Sequence, residues 1–338
     1  MKISDFDYNL PKGLIAQYPS KRRDESRLFV LDRDKGTIEH RVFKDIVEYI
    51  HKGDLLLLND TKVIPARLKG KKETGGKIET LILHRSEGSR SDAEYEVLLK
   101  PARGCNVGSR FIFGRGELKA VVTRIENGRR FLHFERNGDL EKAFERLGEV
   151  PLPPYIKRDV RPIDKDRYQT VYASKKGAIA APTAGLHFTK DTLRRISRNG
   201  VDVGYVTLHV GYGTFKQVRC EKIEDHAMEK EYFEVKKDII EGLRERTCRK
   251  IAVGTTVCRA LETAFSKGIY NGWTDLFIYP GYRFKAVDAL LTNFHLPRTT
   301  LLMLVSAFCG TRLLFKAYQE AIEKGYRFYS YGDSMLII

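Results

Sequence analysis

Asp54-Leu-Leu-Leu-Leu-Asn-Asp-Thr61 decides the fold class. Four consecutive leucines leave no polar face, so residues 54–58 read as a strand covered on both sides, as in the sheets of α/β proteins. The run ends in Asn59, Asp60 and Thr61, and polar groups at a strand's carboxyl end are where such sheets hold ligands. Upstream, residues 28–31 and 37–43 flank Asp32-Arg-Asp-Lys-Gly36 as a hairpin, and 46–50 has helical spacing. Downstream of Asn199-Gly200 the pattern predicts a strand at 203–210, the loop Gly211-Tyr-Gly213, a helix at 237–246, a strand at 251–253 and a helix at 257–265. It continues with a strand at 276–279, a helical stretch at 287–291, an all-apolar core helix at 301–308, an amphipathic helix at 313–323 and a last strand at 327–331.

Between these halves the texture changes. Residues 78–83, 95–99, 110–113, 119–125 and 130–134 are short alternating runs separated by Gly75-Gly76, Gly104 to Gly108, Gly114 to Gly116 and Asn127-Gly128. Short strands at that spacing read as a small antiparallel β-barrel, and Pro151-Leu-Pro-Pro154 closes the unit as a stiff connector. The expected organisation is therefore a discontinuous unit, 1–67 and 152–338, interrupted by an insert at 68–151.

Composition narrows the function. The chain has 338 residues, 42% hydrophobic and 31% charged, a globular balance. The longest apolar run, 301–308, is far short of the ~18 to 20 residues that span a bilayer, so no membrane span is expected. Acids in Met1-Lys-Ile-Ser-Asp-Phe-Asp7 argue against an export signal, and five cysteines without a Cys-x-x-Cys pair point to a reducing cytoplasm. The net charge of +16 makes nucleic acid the leading partner. Residues 155–200 carry 11 Lys/Arg against 4 Asp/Glu, whereas the insert, with 17 against 13, is not a dedicated basic module. Lys21, Arg22, Arg23, Lys157, Arg158, Arg161, Lys175 and Lys176 are the expected phosphate contacts, and interleaved aromatics suit base stacking.

The chemistry concentrates in Ala180-Ala-Pro-Thr-Ala-Gly-Leu-His-Phe188, which joins a rigid proline, a glycine and an imidazole. Thr207-Leu-His-Val-Gly-Tyr-Gly-Thr-Phe215 and Leu291-Thr-Asn-Phe-His-Leu-Pro297 have the same character. Each sets one histidine beside a chain punctuator, although a lone histidine in apolar company more often serves packing. A helix opening after Gly254-Thr255-Thr256 offers N–H groups and hydroxyls to an anion, and ordinary capping reads the same way. Neither a Walker sequence nor Gly-x-Gly-x-x-Gly occurs.

These three segments, together with Leu58-Asn-Asp-Thr-Lys-Val-Ile-Pro-Ala-Arg-Leu68, Arg167-Tyr-Gln-Thr-Val-Tyr-Ala173, Val253-Gly-Thr-Thr256 with Arg259 and Leu261-Glu262, Asp275-Leu-Phe-Ile-Tyr-Pro280 and Tyr331-Gly-Asp333, resemble the S-adenosylmethionine:tRNA ribosyltransferase-isomerases of queuosine biosynthesis. One departure is visible: the family usually reads His-x-Met-His-x-Glu where this chain has His226-Ala-Met-Glu-Lys-Glu231, so Glu229 replaces a histidine. The resemblance implies a barrel-like α/β fold with an inserted β-barrel. It also implies S-adenosylmethionine as a consumed co-substrate, whose methionine carboxylate is a candidate occupant of the helix start after Gly254-Thr255-Thr256, and as partner a tRNA with a G-U-N anticodon carrying a 7-deazaguanine precursor; no metal is expected. No membrane partner and a monomeric state are expected.

That chemistry asks for a base beside the sulfonium, an acid for departing adenine and a polar cradle. His187, His209 and His295 are the acid/base candidates, with Asp60 and Glu262 as orienting groups. Thr183, Ala184, Gly185, Phe188, Tyr172, Gly211, Gly213, Phe215, Thr255, Thr256, Arg259, Asn293 and Pro297 complete the expected pocket. Three other readings stay open at this point: an S-adenosylmethionine-dependent RNA methyltransferase, a non-catalytic RNA-binding protein, and a metal-dependent hydrolase, the last without a His-Glu-x-x-His cluster.

Overall fold

A computed structural model of the chain describes all residues except 87–92, 136–137, 216 and 246–247, and omits the side chains of 214, 215, 244 and 245. Its strands run β1 (Arg27–Asp32), β2 (Thr37–Val42), β3 (Leu55–Asn59), β4 (Thr61–Val63), β5 (Arg67–Lys72), β6 (Lys77–Arg85), β7 (Glu94–Lys100) and β8 (Arg110–Phe113). They continue as β9 (Leu118–Glu126), β10 (Arg129–Glu135), β11 (Lys175–Ala178), β12 (Asp202–Leu208), β13 (Glu231–Val235), β14 (Lys250–Val253), β15 (Asn271–Thr274), β16 (Ala289–Asn293) and β17 (Ser334–Ile337). The helices are α1 (Leu140–Leu147), α2 (Pro162–Arg167), α3 (Lys190–Arg198), α4 (Lys237–Glu245), α5 (Thr255–Lys267), α6 (Thr300–Cys309) and α7 (Thr311–Glu323).

The leucine run behaves as its composition requires. β3 lies inside a nine-stranded mixed sheet ordered β15-β13-β12-β3-β14-β16-β17-β1-β2, parallel to both its neighbours β12 and β14. Alternate side chains feed two cores. Leu57, Phe29, Leu31 and Leu290 pack with α5, α6 and α7 on one face; Leu56, Leu58, Val30 and Leu291 pack with Phe43, Phe188 and Ile196 on the other. The second sheet closes as an antiparallel barrel, β10-β7-β6-β5-β8-β9, filled by Phe111, Phe113 and Phe134 and plugged by Phe144 of α1. All its strands fall between Arg67 and Glu135, while the large sheet draws strands from both sides of that segment. Short β4 and β11 pair separately, in parallel.

Four local expectations are corrected. Residues 287–291 are not helical: 289–293 form β16, buried on both faces between β14 and β17, and a short apolar run does not distinguish helix from strand. Residues 276–279 are not a strand, because side chains take the Leu276 backbone: Thr274 Oγ1 accepts its N–H and Arg259 Nε donates to its carbonyl. The paired strand is β15, just upstream. Residues 327–331 form a turn in which Gly332 N–H donates to Tyr329 O (2.8 Å), so the last strand begins at Ser334. The helical spacing at 46–50 belongs to a 3-10 helix that begins earlier, at Phe43–Glu48. Arg246, at the end of the expected 237–246 helix, lies outside the described residues. Among the described residues no single helix is long and apolar enough to cross a membrane; α6 and α7 meet at a 112° break.

Candidate functional site

Four neighbouring parallel strands, β12, β3, β14 and β16, deliver their carboxyl ends to one place. Asn59 ties them together. Fully buried, its Nδ2 donates to Leu208 O (2.9 Å) and Thr256 Oγ1 (3.2 Å), and its Oδ1 accepts from the N–H groups of Thr61 and Leu208 (both 3.1 Å). Next along the sheet, Gly254 turns β14 into α5 with φ 95°, a conformation glycine adopts without strain. A small pocket sits over these ends, walled by Pro182, Thr183, Ala184, Thr255, Thr256, Asn293, His295, Tyr155 and Tyr329.

Asn293 is the hub of the pocket wall. Its Nδ2 faces the carbonyls of Tyr329 and Asp333 (both 3.3 Å), which fixes the amide orientation; Thr183 Oγ1 then donates to Oδ1 (2.9 Å). The same Nδ2 lies 3.1 Å from His187 Nε2, so that nitrogen accepts and Nδ1–H donates to Ser26 Oγ (2.7 Å). Burial, reinforced by Arg327, Arg23 and Arg167, pushes the His187 pKa down to about 3. His187 is therefore a neutral ring with both nitrogens occupied, and it orients Asn293 instead of facing the pocket.

His295 differs. Its Nε2 shares a 2.8 Å hydrogen bond with Thr292 Oγ1, its backbone N–H donates to Tyr318 Oη, and Nδ1 has no hydrogen bond among the described residues. Burial pushes this histidine also down to about 3, leaving a neutral imidazole on the pocket wall. His209 belongs to a second polar cluster. Its Nδ1 meets Thr61 Oγ1 (2.7 Å), while neighbouring Asp60 accepts from Thr207 Oγ1 (2.7 Å) and Ser174 Oγ (2.9 Å). Burial lowers the His209 pKa, against the opposing pull of Asp60 and Glu234.

Comparison with known proteins settles what this arrangement belongs to. The family model described as queuosine biosynthesis protein matches residues 3–337. S-adenosylmethionine:tRNA ribosyltransferase-isomerases of Acetivibrio thermocellus and Halothermothrix orenii are each 53% identical, and that of Clostridium kluyveri 51%, with 100% of both chains covered in every case. The crystal structure of S-adenosylmethionine tRNA ribosyltransferase from Thermotoga maritima is similar at 38% identity and a TM-score of 0.56, over 99% of this chain and 100% of that one. The chain belongs to the queuosine biosynthesis family.

Several expected site residues of this family member do other work. Glu262 is fully buried away from the pocket, accepting the N–H groups of Lys285 (3.0 Å) and Ala286 (2.8 Å) and the Tyr282 hydroxyl (3.0 Å); it clamps that loop. Phe188 is a core side chain set edge-on against Phe43. Gly185 is small for Tyr172, since a Cβ there would lie 2.1 Å from the Tyr172 hydroxyl, and both back the pocket without lining it. Arg259 pairs with buried Glu231, whose Oε1 accepts the Gly211 N–H (2.8 Å), so the pair braces the 211–213 loop. Gly213 lies in a wider neighbouring cleft with Tyr212, His226 and Glu229, where a Cβ would sit 2.6 Å from the Glu229 carboxylate. Pro297 is half-buried next to Leu296 of that cleft. The Phe215 side chain lies outside the described residues.

The basic residues divide in the same way. Lys21, Arg22, Lys157 and Arg161 are exposed; Lys175 and Lys176 are exposed with loose partners in Glu234 and Glu145. Arg23 turns inward to the carbonyls of Leu186 (3.1 Å) and Asp166 (2.7 Å). Arg158 is a partly buried fork on fully buried Asp164, with both N···O distances 2.7 Å. These two hold the fold and are not available to phosphate. Ser26 and Tyr329 joined the site only through folding; Asn59 stood at the end of the leucine strand, Tyr155 among the aromatics interleaved in the basic stretch and Thr292 inside the His295 segment.

Proposed function

We propose that this chain transfers and isomerises the ribosyl moiety of S-adenosylmethionine onto 7-aminomethyl-7-deazaguanine at the tRNA wobble position, giving epoxyqueuosine with release of adenine and methionine. The observation that carries this reading is identity of 51–53% over the full length of relatives bearing that enzyme name. The pocket at the strand ends supports it: hydroxyls, one amide and a neutral imidazole suit a cationic, polyhydroxylated substrate. Among the described residues no group of three or more His, Cys, Asp and Glu side chains is placed to hold an ion.

The residues divide the labour. His295, neutral with Nδ1 uncommitted, is the imidazole in the pocket able to take a proton beside the sulfonium; Thr183, oriented by the committed Asn293 amide, offers its hydroxyl oxygen to polar substrate groups; the Asp60–Thr61–His209 cluster lies on the flank. The acceptor is a tRNA with a G-U-N anticodon, engaged by the exposed lysines and arginines around the site, and the chain acts in the cytoplasm as a monomer. Mass spectrometry after mixing the protein with S-adenosylmethionine and an anticodon stem-loop carrying the 7-deazaguanine tests the reaction. Adenine, methionine and a heavier ribosyl-derived nucleoside are expected; S-adenosylhomocysteine with a methylated RNA would replace this reading with methyl transfer.

A further inference from the structure

Four non-glycine residues have positive φ among the described residues, and Tyr329, at φ 74°, is the aromatic one and the one on the pocket wall. A bulky residue in that region is strained and persists only where its surroundings over-determine it. Here they do. Tyr329 N–H donates to Phe294 O (3.0 Å), and its carbonyl accepts from Gly332 N–H (2.8 Å) and from Asn293 Nδ2 (3.3 Å), the amide that also fixes Thr183 and His187. The strained backbone sets the ring edge-on to Tyr155, with centroids 3.9 Å apart. The result is a side chain 4% exposed whose hydroxyl has no partner among the described residues. Two costs, strain and an unpaired buried hydroxyl, thus fall on one residue at the pocket. Burial raises its pKa, so the phenol stays a neutral donor.

Across the pocket lies the start of α5, a 13-residue helix whose N-cap, Gly254, supplies no side-chain cap. Its first-turn N–H groups lack intrahelical acceptors and carry the positive end of the helix dipole. Neither lysine nor arginine lines the pocket among the described residues. Unpaired donors without a countercharge suit a single carboxylate, whereas an RNA phosphate would find cations on the exposed surface instead. S-adenosylmethionine has one anionic group. We propose that the Tyr329 hydroxyl and the N-terminus of α5 together seat the methionine carboxylate of S-adenosylmethionine, an assignment that rests on the proposed function.

The test is titration calorimetry of wild type and Tyr329→Phe with S-adenosylmethionine and with its decarboxylated analogue, alongside thermal unfolding of both proteins. Wild type is expected to prefer S-adenosylmethionine by about tenfold or more, the scale of hydrogen bonds to a charged group. Tyr329→Phe should lose about tenfold toward S-adenosylmethionine, leave the analogue's affinity unchanged, and unfold no earlier than wild type. Equal binding of the two ligands by wild type overturns the carboxylate seat without any variant. An equal loss toward both ligands in Tyr329→Phe moves the hydroxyl to the ribose or adenine, and no loss leaves it idle; each overturns the assignment while adenine and methionine release by wild type keeps the reaction standing. Absence of S-adenosylmethionine binding to wild type sinks both.

Discussion

At the scale of single residues, His187 and His295 share burial, neutrality and a place beside Asn293, yet only one has a nitrogen to offer. The local sequences do not separate them: each lies in a loop next to a glycine or proline, and the decisive partners, Ser26 and Thr292, are assigned by folding. The geometry makes opposite forecasts for the pair. His187→Ala removes a buried ring and takes one partner each from the Asn293 amide and the Ser26 hydroxyl, which should cost about 2–4 kcal/mol in urea unfolding. His295→Gln should unfold close to wild type and lose about a hundredfold or more in turnover, the scale of a lost acid/base group. A stable but inactive His187→Ala beside a fully active His295→Gln would reverse the assignment.

At the scale of elements, legibility followed how much of an element's environment its own residues announce. β3 was readable because four leucines admit no solvent face, and the barrel strands because their alternation matches one wet and one dry side. β16 was not, since Ala-Leu-Leu-Thr-Asn satisfies a helical and a strand pattern equally and only its seat between β14 and β17 decides. The turn at 327–331 escaped for a related reason: alternating aromatics look like a strand until Asn293 and Gly332 bend the backbone at Tyr329. The site inherits this pattern, in that its strand-end position was legible and its cross-links were not. Asn59 is where such a cross-link can be measured. Asn59→Ala leaves the N–H groups of Leu208 and Thr61 without their acceptor inside the sheet and frees the start of α5. A loss of about 2–4 kcal/mol in chemical denaturation is expected, with weaker S-adenosylmethionine binding in the fraction that remains folded; an unchanged midpoint would mean that the strand ends are held by packing alone.

At the scale of the molecule, a charge of +16 sets up attraction for a polyanion, but the fold withdraws some of those cations from solvent. Arg158 is spent on Asp164, which is fully buried and also accepts from the Arg161 N–H (2.8 Å) and the Tyr331 hydroxyl (2.9 Å). Burial pushes that carboxyl's pKa up, and Arg158, the Arg161 N–H and Tyr331 more than reverse it, holding it below the ordinary range. Removing the guanidinium leaves a buried charge uncompensated, so Arg158→Gln should cost about 3–5 kcal/mol of stability. Lys157 and Arg161, close by in sequence, remain exposed. For them the expected effect is electrostatic: log affinity for tRNA should fall linearly with log salt, and a Lys157→Gln, Arg161→Gln double variant should flatten that slope by about 1.4, at ~0.7 per single-strand phosphate contact released. Binding isotherms from 50 to 200 mM salt separate the two kinds of basic residue. If Arg158→Gln alone flattens the slope while the exposed pair does not, the tRNA lies on the Asp164 side of this segment and the division between fold-holding and phosphate-facing cations is wrong.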